Sequence, residues 1–490
     1  MGESSHIAFD LGAESGRCLL GKVKDGCLSV REISRFPNKM ILVSGHLHWN
    51  VFELFEQMTK GMASCQGEGV ESVGVDTWGV DFALLDRQGN VLGLPFSYRD
   101  HRTDGAVESF LTKIPCERLH SLTGLQILWV NTVFQLEAMV RDRSPLLEIA
   151  SDLLFMPDFF HYLMTGVKKT EFSFATTSQL YNPHTRQWCS EVFEALGLPI
   201  SLMQEIVPTA SVLGRLQGHV SKETGLGDIP VVAVATHDTA SAVAAVPAAG
   251  DDWAFISSGT WSIVGVLTEK PITNKMTLSG NFSNEGASGG NIRLLKNINA
   301  LWLLQQCRRS WSPDGSLTYE EIRSLAESAP ALRCFVDPDF PGFANPDDMP
   351  SAIVDFCRQT SQPAPSTRGE IARCVMESIA LKYRAVIDKL RVLHGKPINR
   401  VHVVGGGARN ELLNQFAADA IGLPILAGPL EATAIGNLLL QAKALGGVAS
   451  DEDIRQVVMN SFQVAKYEPS GSASWEKAYE RFKEIEGSLS

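Results

Sequence analysis

Two stretches dominate the hydropathy pattern of the chain. In each, an apolar strand is followed by a short turn rich in glycine and hydroxyls and then by a second apolar strand: Ile7-Ala-Phe-Asp-Leu-Gly-Ala-Glu-Ser-Gly-Arg-Cys-Leu-Leu20, and Ala254-Phe-Ile-Ser-Ser-Gly-Thr-Trp-Ser-Ile-Val-Gly-Val266. Gly12 and Gly259 hold equivalent places, so the chain reads as two related halves, each presenting a backbone turn able to wrap a phosphate. Strand signals return at Val70–Asp76 and Gly79–Asp86, with Gln88-Gly-Asn90 as a turn. Val51, Phe52, Phe55, Met58 and Met62 recur near helical spacing between them. Further helices are expected through 133–139 and 157–166, the second ending at Gly166. Alternation of the two periods predicts an α/β chain.

The run 229–249 is nearly apolar, but Thr236-His-Asp-Thr239 sits near its centre. A buried strand (231–235), a polar turn and a small-residue helix account for it better than a membrane span. Val246-Pro-Ala-Ala-Gly-Asp251 is a connector, and we expect domains over 1–246 and 247–490 with a nucleotide between them. In the second half, Ile371, Val375, Ile379, Val386 and Leu390 mark a long helix, Val401–Val404 a buried strand, and about 410–420 another helix. Trp475, Tyr479, Phe482 and Ile485 form a helical stripe read as core contacts.

Composition changes this picture little. With 490 residues, 44% of them hydrophobic, the chain can fill two cores. A net charge of -12 argues against general binding to nucleic acid or membrane surfaces, which need basic patches, so an anionic ligand requires local compensation, most simply by a divalent metal. The nine cysteines form no Cys-x-x-Cys pair and are expected to be reduced and structural; a Cys357–Cys374 bridge stays open. The start has neither a basic leader nor an apolar signal region, and the cytoplasm is the expected compartment.

Candidate chemistry concentrates at the turns. Gly12 and Gly16 permit close backbone approach, Ser15 and Arg17 can donate to phosphate oxygens, and Asp10 can position magnesium through water. An ordinary hairpin with an Asp–Arg pair is the bland reading, which the second turn, Ser257–Ser262, weighs against. Asp238, where an apolar strand meets a helix, is the candidate general base for a sugar hydroxyl, set against a role as simple helix cap. Asp76-Thr-Trp-Gly-Val-Asp81 mixes polar groups with an indole and a glycine, as sugar recognition requires, and yields Trp78 and Asp81 as candidate substrate contacts; a turn held by its own aspartates is the alternative. Gly405-Gly-Gly407 also begins as a dinucleotide fold does, yet Asn410 stands where that fingerprint has Gly or Ala, and packing against adenosine fits better.

Asp10-Leu-Gly12, His237-Asp-Thr239, Ser258-Gly-Thr260, Gly405-Gly-Gly407 and Glu431-Ala-Thr-Ala-Ile-Gly436 together resemble the FGGY carbohydrate kinases. The resemblance extends over nearly the whole chain and implies duplicated actin/hexokinase-like (ribonuclease H-like) α/β domains with an interdomain cleft. It implies ATP and Mg2+ as cofactors and phosphorylation of a ketose, L-rhamnulose, at its 1-hydroxyl. By the same resemblance Ala13, Glu14, Ser15, Gly16, Arg17, Thr260, Gln305 and Gly406 contact ATP, Gly79, His237, Asp238, Thr239 and Asn297 contact the sugar, and Asp238 is the base. Glu14, where small residues are frequent in the family, must point away from the phosphates or toward metal-bound water. The partners implied are ATP and a small ketose, with no nucleic acid and no membrane, in a monomer or homodimer. Another ketose or polyol kinase of the family (a fuculokinase or xylulokinase), a noncatalytic sugar sensor, an actin-like polymer and an oxidoreductase are the alternatives.

Overall fold

A computed structural model describes residues 3–489, so the leader reading at Met1 and Gly2 lies outside it. The chain packs into two compact units, both discontinuous: Met1–Ala249, Leu267–Leu294 and Ala432–Phe462 form one, and Gly250–Val266, Leu295–Glu431 and Gln463–Ser490 the other.

The first unit is organised by a six-stranded sheet. Its strands are β1 (Ser4–Leu11), β2 (Ser15–Lys24), β3 (Cys27–Pro37), β4 (Val70–Thr77), β5 (Ser211–Arg215) and β6 (Pro230–Ala233), in the order β5-β6-β4-β1-β2-β3. β6, β4 and β1 are mutually parallel, and their near-continuous burial is what a sheet covered on both faces demands. β1 and β2 are the first expected hairpin, antiparallel from Ser4↔Val23 to Leu11↔Gly16. Helix α1 (Val51–Ala63) starts at the Asn50 cap and buries Val51, Leu54, Met58 and Met62. Phe52, expected in that stripe, is on the outer face, 51% exposed, because the buried arc is centred on Leu54 and Met58. Helices α2 (Thr132–Arg141) and α3 (Met156–Thr165) form where expected, and α3 stops at Gly166 in the left-handed conformation. The strand expected over Gly79–Asp86 shrinks to Phe82–Leu85, because Val80 has a φ of 69° and breaks the extended run.

The second unit repeats the arrangement. Its strands β7 (Trp253–Ser258), β8 (Ser262–Thr268), β9 (Arg400–Val404), β10 (Ile425–Ala427) and β11 (Ala465–Tyr467) run β8-β7-β9-β10-β11. Again an antiparallel hairpin is followed by two parallel strands and then an antiparallel one. Packed with them are α5 (Leu301–Trp311), α6 (Met349–Gln359), the 27-residue α7 (Arg368–His394), α8 (Glu411–Ile421) and α9 (Ser472–Ile485). The stripe Trp475, Tyr479, Phe482 and Ile485 is buried on α9, as core contacts should be. The run 229–249 forms β6, a polar turn and helix α4 (Asp238–Ala244). No helix among the described residues is long and apolar enough to cross a membrane.

Candidate active site

Parallel strands deliver their carboxyl ends to one side of a sheet, where ligands of open α/β folds bind. In the first unit three such ends carry the chemistry. Register pairs Asp10 of β1 with Asp76 of β4, and an isolated parallel bridge joins Thr77 to His237, just beyond β6. Asp10, Asp76 and Asp238 are thereby drawn together from positions far apart in sequence.

Arg17 faces Asp10 across the hairpin and donates Nη2 to its carboxylate. The turn itself is held by Gly12 N donating to Ser15 O at 3.0 Å and by Asn38 Nδ2 donating to Gly12 O at 2.9 Å. Ala13 and Ser15 are half-buried and Glu14 is exposed. Gly16 serves packing: a Cβ there would lie 2.2 Å from the Phe36 ring on β3.

Asp76 is fully buried. Asn437 Nδ2 donates to its Oδ2 at 2.6 Å, while its Oδ1 has no hydrogen-bond partner, and burial together with the neighbouring Asp10 raises its pKa well above the usual carboxylate range. Asn437 stands on the helix Ala432–Ala444, whose Gly436 lets the helix lie against α4: a Cβ there would come within 1.8 Å of Ser241 O. The small residues of the 431–436 motif thus carry Asn437 to Asp76.

Asp238 is the first residue of α4 and His237 its cap position, so Asp238 is not the helix cap. Its Oδ1 accepts from Thr239 N at 2.5 Å and Thr239 Oγ1 at 3.2 Å, and a third of the side chain stays exposed. Crowding by protein atoms and the Asp10 carboxylate push its pKa up to about 7, the range in which a carboxylate accepts a proton most usefully near neutrality. His237 is kept neutral, its pKa held well below the usual histidine value by burial and by Arg293. Arg293 Nη2 lies 3.2 Å from His237 Nδ1, which assigns the ring proton to Nε2, 3.4 Å from Asp238. Arg293 is itself completely buried, donates Nε to Gly286 O at 2.8 Å and pairs with Glu285 at 3.3 Å. Beneath them, Glu171 accepts from Thr236 N, Thr236 Oγ1 and Ser173 Oγ, and Ser173 Oγ in turn accepts from His237 N. Arg293, Glu285, Glu171 and Asn437 are the members that sequence reasoning missed, a lone arginine in the apolar run Ile292-Arg-Leu-Leu295 being their one visible signal; Asp76 opened the segment read as sugar-facing but was not read as a neighbour of Asp10.

Gly79 lies beside this group, its Cβ position 3.4 Å from His237 Nε2. Trp78 and Asp81 are both buried. The Asp81 carboxylate accepts from Trp49 Nε1, Trp78 Nε1, Gln135 Nε2 and Tyr98 N, and burial still raises its pKa to about 6. Its hydrogen-bonding capacity is spent inside the protein, fixing the indoles around the strained Val80.

The second unit presents a turn of the same design, with Gly259 N donating to Trp261 O at 2.9 Å. Thr260 O accepts from Trp302 N, and Gln305 Nε2 donates to Thr260 Oγ1 at 3.3 Å, so α5 is tied to the turn. Gly407 has no room for a side chain: a Cβ would sit 2.0 Å from Ser258 Oγ. Gly406, by contrast, is exposed and faces nothing within 4 Å. Asn410 caps α8 through Leu413 N, and Asn297 is half-buried on the strand Ile292–Ile298. We expect Gly407→Ala to destabilise the protein by about 1–3 kcal/mol through overpacking, read as a lower urea midpoint at unchanged m-value.

A hydrated divalent cation fits the first group of residues. The unpartnered oxygen of Asp76 and the mutual repulsion of Asp10, Asp76 and Asp238 are both relieved by positive charge.

Residues 6–245 match the N-terminal domain, and 254–445 the C-terminal domain, of the FGGY family of carbohydrate kinases. The chain is 46% identical over 483 residues to a rhamnulokinase of Bacteroides thetaiotaomicron, covering 98% of this chain and 99% of that one. It is 40% identical to a rhamnulokinase of Halalkalibacterium halodurans, covering 94% and 98%. Among solved structures, a gluconate kinase from Lactobacillus acidophilus shares the fold with a TM-score of 0.81 at 15% identity, over 99% of this chain and 98% of that one. Carbohydrate kinases of this family use ATP, typically with Mg2+. The duplicated actin-like fold, the two matching domains and the near full-length similarity make this chain a member of the FGGY family of carbohydrate kinases.

Proposed function

We infer that this kinase transfers the γ-phosphoryl group of ATP to the 1-hydroxyl of L-rhamnulose. The substrate rests on the rhamnulokinases to which the chain is similar from end to end. The reaction rests on one observation above all: the Asp238 carboxylate, a third of its side chain exposed, is held at the rigid start of α4 with His237 Nε2 3.4 Å away. The kinase halves are taken as 1–246 and 247–490 along the chain, and the working compartment as the cytoplasm, where ATP is available.

Phosphoryl transfer asks the protein mainly for alignment and charge neutralisation. Asp238 accepts the proton of the attacking hydroxyl, and its Thr239 hydrogen bonds fix the direction from which it does so. His237, Thr239, Gly79 and Asn297 orient the ketose, while Trp78 and Asp81 build the wall behind it. We assign ATP contacts to Ala13, Glu14, Ser15, Gly16 and Arg17 of the first unit and to Thr260, Gln305 and Gly406 of the second, with the exposed Glu14 carboxylate turned away from the phosphates. Asp10 would hold magnesium through water, and the ion would supply neutralisation of phosphate charge.

Because only the ionised form of Asp238 can take up the proton, kcat/KM at subsaturating sugar should rise with pH and level off above about 7. In Asp238→Asn that limb should vanish from the residual rate. The substrate assignment is tested by coupled ADP detection across L-rhamnulose, L-fuculose, L-ribulose, D-xylulose and glycerol. We expect the highest kcat/KM with L-rhamnulose; a higher value with any other member reassigns the substrate, and ADP release with none of them removes the reading.

A further inference from the structure

Between Ser72 and Leu85 every residue is buried except two, Gly79 and Val80. They follow the end of β4 in a three-residue turn closed by Asp81 N, which donates to Gly79 O at 2.9 Å. At the centre of the turn Val80 has a φ of 69°, the rare and strained form of this geometry. Among the described non-glycine residues with positive φ, Val80 alone is β-branched, the type for which that conformation is least tolerated. The surroundings enforce it. Thr132 Oγ1 donates to Val80 O at 2.7 Å and Gln135 Nε2 at 3.4 Å. On one side Trp78 N donates to Leu11 O at 3.0 Å, and on the other Met156 N donates to Asp81 O at 3.1 Å. The Asp81 carboxylate, with its donors from Trp49, Trp78, Gln135 and Tyr98, locks the far end.

Glycine would adopt this turn without strain, so what valine adds is its isopropyl group alone. That group is half-buried and joins neither the apolar cluster around Phe9 and Trp78 nor the one around Phe82 and Phe134. The neighbouring Gly79 places it at the site: a Cβ there would stand 3.4 Å from His237 Nε2 and 3.9 Å from Thr177 Oγ1, and His237 Nε2 is itself 3.4 Å from Asp238. Backbone strain kept beside reactive groups, and enforced from several directions, is the mark of a residue held for a ligand. The ketose hydroxyls can be met by polar groups, but the methyl carbon of a 6-deoxyketose needs a partner without polar atoms. Trp49 and Trp78 are buried, with both Nε1 groups spent on Asp81, whereas the Val80 side chain reaches the opening.

Resting on the reading of L-rhamnulose as substrate, we propose that Val80 is a specificity-determining residue: its isopropyl group seats the C6 methyl of the ketose and so favours a 6-deoxy sugar over the same sugar with a 6-hydroxyl. A hydroxyl in that seat loses its water and gains no partner.

The test compares L-rhamnulose with L-fructose, its 6-hydroxy counterpart, by coupled ADP detection at saturating ATP. Wild-type protein should prefer L-rhamnulose in kcat/KM. In Val80→Gly, which removes the seat and suits the turn, the preference should fall about 10-fold, the scale of one apolar contact, with Tm no lower than that of the wild type. Val80→Thr keeps the branched shape and places a hydroxyl in the seat, and its preference should fall as well. A change of less than about threefold in both variants would overturn the proposal while leaving the kinase reading intact. So would wild-type protein that uses the two sugars equally well, or a Tm lowered in Val80→Gly, which would mean that the isopropyl group packs into the protein. Wild-type protein that releases ADP with neither sugar removes the substrate reading, and the proposal with it.

Discussion

Asp238→Asn is expected to lower kcat by about 10²–10⁴-fold, the usual contribution of a positioned general base, while nucleotide affinity stays at the wild-type value. The substitution is nearly isosteric, and an amide oxygen can still accept from Thr239 N and Thr239 Oγ1, so the start of α4 keeps its shape. What disappears is the capacity to take up a proton. Removing the charge also lightens the repulsion that Asp238 exerts on Asp76, which predicts a variant at least as stable as the parent. Steady-state kinetics, ADP binding and thermal melting separate these effects. A near wild-type kcat would show that the hydroxyl loses its proton to some other group, and a collapsed melting curve would show that the loss of rate is structural.

The largest expected loss of stability comes from Arg293→Met, at about 3–5 kcal/mol, the cost of leaving a buried partner charge uncompensated. Arg293 is completely buried, with Glu285 and His237 in contact and the Asp238 and Glu171 carboxylates also within its field. In the variant the Glu285 carboxyl, already raised by burial, loses the positive charge that lowers it. Its folded-state pKa then stands further above the unfolded value. The resulting penalty is absent below the unfolded pKa and grows as pH rises through the interval between the two, so the deficit should be smaller at pH 5 than at pH 8. Urea unfolding at the two pH values measures this, and the double variant Arg293→Met, Glu285→Leu should recover much of the loss. A single-variant deficit below 1 kcal/mol, or no recovery in the double, would mean that the pair is not the buried electrostatic unit described. Because Arg293 also keeps His237 neutral, the single variant should show a distorted pH profile for kcat.

Much of this molecule was readable before any coordinates. The two hairpins, Asp10 at the end of β1, and His237-Asp238 at the junction of β6 and α4 depend on local patterns, in which apolar alternation ends at a glycine or a polar residue. The Asp76–Asp81 segment was read less well. Its mixture of indole and carboxylate suggested a sugar surface, but Trp49 and Gln135, 32 and 54 residues away from Asp81, absorb that carboxylate. Phe52 fell outside the core because hydrophobic spacing alone does not centre the buried arc of a helix.

Sequence by itself determined the α/β repeat, the duplicated hairpins with their glycine-containing turns and the place of Asp238 at a strand–helix junction, since each is written in residues within a few positions of one another. Tertiary structure alone decided the electrostatics. The environment of Asp76 depends on Asn437, 361 residues distant, and His237 is kept neutral by burial and by Arg293, 56 residues distant. The grouping of Cys334, Cys357 and Cys374 likewise appears only when a loop and two helices pack. The physical reason is range: backbone conformation answers to neighbours along the chain, whereas burial and the Coulomb field at a side chain answer to neighbours in space, whatever their place in the sequence.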